Sequence, residues 1–228
     1  MKYLINKILS LFNIRISKIG PTYYDLVDEI RLQLINQSDG ILHIGAHRGQ
    51  EAEKYSVLDK SVIWIEAIPS VYQDLLKNIE KFKKQDGYQA LLGDKSSAKQ
   101  RINLSSNSYE SSSIFEFGVD MNHKNLSMVD FIEVPMVRLD GMFTLKQLQM
   151  YKHWVIDVQG AELLVLQGAG DLLSNVTSFE IEVSTKAEYR GGAKWHEIRD
   201  FLDNFGFFPL WLPKENSHED VFFVKYLK

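Results

Sequence analysis

The chain has 228 residues, a formal net charge of −4, 45% hydrophobic and 25% charged residues, and no cysteine. That balance is ordinary for a globular protein, and the length suffices to bury roughly 70% of the surface its unfolded chain exposes. The charge argues against a dedicated nucleic-acid binder, which needs clustered Lys and Arg; the lack of cysteine excludes disulfides, thiolate catalysis and thiolate-held zinc.

Met1 to Ile19 interleaves Leu4, Ile5, Ile8, Leu9 and Phe12 with Lys2, Lys7, Arg15 and Lys18. It is too short and too charged to span a bilayer, and no small-residue cleavage site follows it. Two readings stay open: a helix packed on the domain, or a basic amphipathic helix on an anionic membrane surface. Residues 1–39 read as an N-terminal helical extension and residues 40–228 as one ligand-binding domain. The expected location is cytoplasmic, with membrane association left open.

After a helix from Tyr23 to Ile35, Gly40-Ile41-Leu42-His43-Ile44-Gly45-Ala46-His47-Arg48-Gly49 passes from an apolar strand into a glycine-punctuated turn. Such a turn lacks bulk where a ligand could approach the backbone. Its spacing is not the Gly-x-Gly-x-x-Gly of dinucleotide enzymes. Glu66 ends the next apolar run, where a carboxylate can accept two ribose hydroxyls, so the pair points to an adenosine-containing cofactor. Helices are expected over Gln50–Leu58 and Pro69–Lys81, and a third short strand over Tyr88–Leu92, closed by Gly93-Asp94. Alternation of this kind implies parallel crossovers and a Rossmann-like half.

Ser105 to Ser127 reads as a long polar, serine-rich loop, either a lid or a plain excursion. Phe131–Val137 is strand-like, with a helix expected from Arg138 through Gln149. His153–Val158 is a buried strand ending at Asp157, with Leu163–Leu173 the following helix. Glu180 and Glu182 alternate with Phe179, Ile181 and Val183 on the next strand, and Lys194–Asn204 is helical. Phe207–Leu212 and Val221–Val224 are separated by too little chain for a crossover helix, so they should pair antiparallel. The whole is an α/β fold, a mostly parallel seven-stranded sheet with a C-terminal antiparallel hairpin and helices on both faces.

Asp157-Val158-Gln159-Gly160-Ala161-Glu162, followed by Leu166-Gln167-Gly168-Ala169, resembles the signature of FkbM-type methyltransferases. His43 to Gly49 is similar to that family's first motif and Glu66-Ala67-Ile68-Pro69 to its second. Ala90 to Asp94, Ser111 to Ser113, Val137 to Asp140 and Glu180 to Val183 follow in the family's order. The likeness covers about residues 40 to 226 and implies a class I fold and S-adenosylmethionine as cofactor. It further implies that Gly45 and Gly49 receive the methionine end, Glu66 the ribose, and Asp94, after Gly93, the adenine amine. His43 stands where the family commonly has an acid at the amino-acid end, and Ala67 replaces a common proline. His47 is either a contact to the cofactor carboxylate or a solvated loop residue.

For the chemistry, a hydroxyl acceptor must lose its proton, and a positioned base helps. Asp157 is the first candidate and Glu182 the second. Glu162 is either catalytic or placed in a first helical turn by the dipole. His153 reads as structural, and His123, His196 and His218 form no recognisable metal pattern with the carboxylates. The expected activity is O-methylation of a sugar or related metabolite, with a small-molecule or glycan acceptor, no nucleic acid and no metal. The alternatives are a nicotinamide-dependent oxidoreductase and a non-catalytic module docked on a membrane or partner.

Overall fold

A computed structural model describes residues 23–119, 125–186 and 188–226. The membrane-or-packing question for residues 1–19 therefore lies outside the described residues. Among the described residues no helix is long and apolar enough to cross a membrane.

The centre of the molecule is set by three strands with almost no polar interruption. They are β1 (Gly40–Ile44), β2 (Ser61–Glu66) and β7 (Tyr151–Ile156), with β2 and β7 flanking β1 in parallel. Near-continuous apolar runs are what strands buried on both faces require. Because side chains alternate, each strand feeds two cores. Leu42, Ile44, Ile63, Ile65, Trp154 and Ile156 enter the larger one; Ile41, Val62, Trp64 and Val155 enter the second, against Ala52 and Tyr55 of α2 (Ala52–Val57) and Leu75 of α3 (Pro69–Ile79). The larger core is closed by α5 (Glu162–Ala169) and α6 (Trp195–Asp203).

The sheet runs β3-β2-β1-β7-β8-β10-β9, with β3 at Gln85–Gln89, β8 at Ser178–Ser184, β9 at Phe207–Pro209 and β10 at His218–Lys225. β10 is antiparallel to both neighbours, so the expected terminal hairpin is present on an otherwise parallel sheet. Helix α1 (Tyr23–Asn36) lays Ile30 and Leu34 on Phe222 and Val224 of β10.

Four expectations about the elements need correction. The third strand is not one unit over Tyr88–Leu92. β3 ends at Gln89, Ala90 donates to the Glu66 carbonyl (3.0 Å), and Leu91–Leu92 forms β4 of a separate sheet. That sheet, β4-β6-β5, comprises β6 (Met128–Val137) and β5 (Ser97–Ser105). Leu91 and Leu92 leave the main sheet because its edge offers them no further partner, whereas Met136 and Val137 do. The helix expected through Gln149 is only Leu139–Met142 (α4), ended by extended Phe143. The helix expected through Leu173 breaks at Gly170 (φ 50), after which Gly170–Asn175 continues as a 3-10 turn. The strand expected through Leu212 stops at Pro209, with one further bond to β10 from the Leu210 N–H to the Phe222 carbonyl (2.8 Å).

Candidate active site

The site begins at Gly45, φ 83, where a side chain is excluded by the protein itself: a Cβ there would lie 1.6 Å from the Asp157 carbonyl oxygen. The ends of β1 and β7 close on each other, and Asp157 N–H donates to the Ile44 carbonyl (3.0 Å). The glycine thus places Asp157 beside the turn. Gly49, φ 70, is required for another reason, because a Cβ would meet Leu75 at 2.7 Å. Gly49 is therefore fixed by packing on α3 and does not line the cavity described below.

Glu66, at the end of β2, is buried, and its carboxylate accepts the N–H groups of His47 (2.9 Å) and Ile68 (2.8 Å). Burial pushes its pKa up to about 7, against those two donors. His47 adopts φ 45, a left-handed conformation uncommon outside glycine and characteristic of functional turns. Its ring lies 3.0 Å from the Gln50 amide and 3.1 Å from the Ser108 carbonyl, tying the turn to the serine-rich loop.

Gly45, His47, Glu66 and Ala67 border a cavity of about 650 Å³, open mouth included, whose apolar walls carry Ile68, Leu91, Ile102, Tyr109 and Ile114. An apolar lining with a few convergent polar groups is the character of a small-molecule site. The residues fit an adenosine-bearing cofactor. The walls can cover a base, and each Glu66 oxygen, having accepted one N–H, keeps a lone pair for a ribose hydroxyl.

Besides Gly49, three expected cofactor contacts are not brought to this cavity. His43 points into the second core, stacked on Trp64 at 4.8 Å with the Tyr55 hydroxyl 3.3 Å from Nδ1, and burial lowers its pKa to about 4. As the residue before Ile44, it faces the opposite side of the sheet. Gly93 packs on Met136, and the Asp94 carbonyl accepts from Arg138 Nη1 (2.5 Å); the wall there is made by Ala90, Leu91 and Leu92 instead.

Beyond Gly45 the carboxylates converge. Asp157 just past β7, Glu182 on β8 and Glu162 at the start of α5 bring one oxygen each within 4.8 Å of one another. Asp157 and Glu182 lie close enough to share a proton; burial, then the Glu182 carboxyl, pushes Asp157 far up, and burial raises Glu182 to about 8 while the contact with Asp157 lowers it. Glu162 is used differently. Its Oε1 accepts the N–H groups of Val158 (3.1 Å) and Gly160 (3.0 Å), bracing the turn, and burial raises it to about 7.

Sequence reasoning missed three participants. Gln159 Nε2 lies 2.6 Å from Asp157 and 2.7 Å from Glu182, a donor placed where a cation would need acceptors. Tyr189 donates to Gln159 Oε1 (2.6 Å). His218, from β10, stands 2.6 Å from Glu182 and 3.1 Å from buried Glu188. Only Gln159 had a signal, its place inside the Asp157 block. His153 is fully buried and bonded to Ser178 (2.8 Å), outside the site as expected.

A second, polar pocket of about 770 Å³, open mouth included, shares Gly45 and His47 with the first and is walled by Asn107, Glu110, Asp157, Gln159, Glu182 and His218. The serine-rich loop forms part of its wall and is bonded to the Asp157 turn through Ser113 Oγ and the Gln159 carbonyl (2.7 Å).

A family model, the methyltransferase FkbM domain, matches residues 43–209. The chain belongs to the FkbM methyltransferase family. It is accordingly an S-adenosylmethionine-dependent methyltransferase, which sets aside the nicotinamide reading. Similar solved structures include precorrin-6y C5,15-methyltransferase from Geobacter metallireducens (11% identity, 93% of this chain and 94% of that one, TM-score 0.45). Magnesium protoporphyrin IX methyltransferase from Synechocystis PCC 6803, with bound S-adenosylmethionine, is 11% identical over 89% and 79% of the two chains, TM-score 0.46. An rRNA methylase from Streptococcus thermophilus is 8% identical over 87% and 95%, TM-score 0.46. No curated protein matches the chain.

Proposed function

We propose that this FkbM methyltransferase methylates a hydroxyl oxygen of a sugar or related metabolite, with Asp157 as the base. The observation that carries the reading is the polar pocket, which adjoins the cofactor cavity at Gly45 and His47 and has Asp157 in its wall. Carboxylates and carboxamides line it, groups that hydrogen-bond hydroxyls and orient them. When bound, S-adenosylmethionine supplies the electrophilic methyl group. The work left to the chain is alignment, exclusion of water and removal of one proton. Asp157 accepts that proton into its pair with Glu182. A carboxyl raised toward neutrality by burial is a stronger base than an exposed one, and a positioned base contributes about 10²–10⁴-fold.

The test is incubation with methyl-labelled S-adenosylmethionine and a panel of free and nucleotide-linked sugars, the products read by mass spectrometry. Label in a base-stable sugar methyl ether is expected. Label found only on nitrogen, on carbon or in added RNA would contradict the proposal.

A further inference from the structure

Gln159 is held at φ 56 in the left-handed region, immediately before Gly160 at φ 98. A β-carbon on Gly160 would press on the Tyr189 ring at 3.1 Å, so this glycine lets Tyr189 reach the turn. Each polar side-chain atom of Gln159 then has a protein partner. Nε2 meets Asp157 Oδ1 (2.6 Å) and Glu182 Oε2 (2.7 Å), while Oε1 accepts the Tyr189 hydroxyl (2.6 Å). Its backbone carbonyl accepts from Ser113 Oγ (2.7 Å), and Ser111 offers its carbonyl to the same Tyr189 hydroxyl (3.2 Å).

A carboxamide has two nearly isosteric ends, one donating and one accepting. The acid oxygens at 2.6 and 2.7 Å favour the donating end of the amide, and the Tyr189 O–H, donating to Oε1, holds that orientation. We infer that Gln159 is a positioning residue for methyl transfer: its amide locks Asp157 and Glu182 into one proton-sharing pair facing the acceptor pocket, and Tyr189 holds the orientation of that amide. The role in transfer rests on the proposed assignment of Asp157 as base; the locking of the pair does not.

Donors favour the ionised form of a carboxyl, so Gln159 opposes the upward push of burial on the pair. The other groups facing it are Glu162 of α5, Asp220 and His218 of β10, Glu188 beyond β8, Glu110 of the serine-rich loop and His47 of the glycine turn. The carboxylates among them raise the pair and a charged His218 lowers it, and none of them reproduces the two-pronged contact of the amide. Removing that contact must therefore move the pair to higher pH.

The experiment is a ¹³C NMR titration of the Asp and Glu side-chain carboxyls in the full chain, with Asp157 and Glu182 assigned by their loss in Asp157→Asn and Glu182→Gln. Gln159→Met, which keeps the length and cannot donate, is expected to raise the proton affinity of the pair about tenfold. Tyr189→Phe, which only frees the amide to turn, should raise it less. If Gln159→Met does not fold, Tyr189→Phe carries the test. An unchanged midpoint in the folded variant overturns the inference. Calorimetry with S-adenosylhomocysteine on the same samples reports the cofactor site separately. Unaltered affinity beside a shifted midpoint is the expected pattern, and failure of the wild type to bind would count against the cofactor reading while leaving the titration result to stand.

Discussion

Glu180 and Glu182 lie two residues apart on the same face of β8, the first buried and the second half-buried, and both are raised, to about 7 and about 8. Their surroundings differ in one respect. Arg31 of α1 reaches Glu180 with Nε at 2.8 Å and Nη2 at 2.5 Å and stands over the Phe222 ring at 5.3 Å. Glu182 instead meets a second acid, an amide and an imidazole. A buried charge must be compensated, by a fixed cation or by a proton. Glu180 has the cation, and its pair fastens α1 to the sheet. Glu182 and Asp157 have the proton, which can leave. The first arrangement fastens an element and the second is the one proposed to carry the chemistry, and the strand that carries both shows no difference in residue type.

The contrast can be broken from the structural side first. Arg31→Met leaves Glu180 buried without its cation; with Arg31 19% exposed, the expected loss is about 3 kcal/mol, the lower end for such a pair. Urea unfolding measures it, and S-adenosylhomocysteine affinity should not change. A loss below about 0.5 kcal/mol, the scale of a surface pair, would show that Arg31 is not the clamp described.

The protonated side of the contrast makes stability depend on pH. Folded Glu182 titrates near 8 against an ordinary 4.5, so between those values the folded state binds more protons than the unfolded one. Stability must then fall as pH rises across that window, by at most about 1.4 kcal/mol per unit for one proton. Glu182→Gln should flatten the part of the slope it owns, leaving the share of Glu66, Glu162, Glu180 and Asp157. Buried neutral His43 and His153 oppose this slope below pH 6.5, so the deciding range is pH 6.5 to 8, where a level or rising wild-type profile is incompatible with shared protons in the site.

A smaller effect is expected at the cofactor. Glu66→Gln keeps size and replaces one acceptor oxygen by a donor, turning one ribose hydrogen bond into a mismatch. Calorimetry should show S-adenosylhomocysteine affinity down by about tenfold, or 1.4 kcal/mol. No change would remove Glu66 from the ribose role.

What could be read from the chain alone follows from how each signal arises. Ile41–Ile44 and Val62–Ile65 are legible because burial on both faces demands an unbroken apolar run, and the C-terminal hairpin because its connection is too short for a helix. β5 was invisible: Lys99, Gln100 and Arg101 are polar enough to pass for loop, and the strand exists because β6 pairs with it. His43 read as a site residue from its neighbours in sequence, yet alternation along β1 turns it to the other core. Asp157, Glu182 and Glu66 were legible as candidates from their residue type, and the structure brings Asp157 and Glu182 together and sets Glu66 at the cavity. Gln159 was signalled only by its place inside the Asp157 block, while Tyr189 and His218 join the site through tertiary contacts that nothing in their local spacing announces.

One comparison bears most directly on the division between the two acids of β8 and their partners: the rate of methyl transfer from labelled S-adenosylmethionine by wild type and Asp157→Asn, each first shown to bind S-adenosylhomocysteine. Loss of transfer by about 10²-fold or more, with binding retained, is the expected result for a positioned base. Transfer at the wild-type rate by Asp157→Asn would contradict it, and the carboxyl pair would then belong with Arg31 and Glu180 as part of the scaffold.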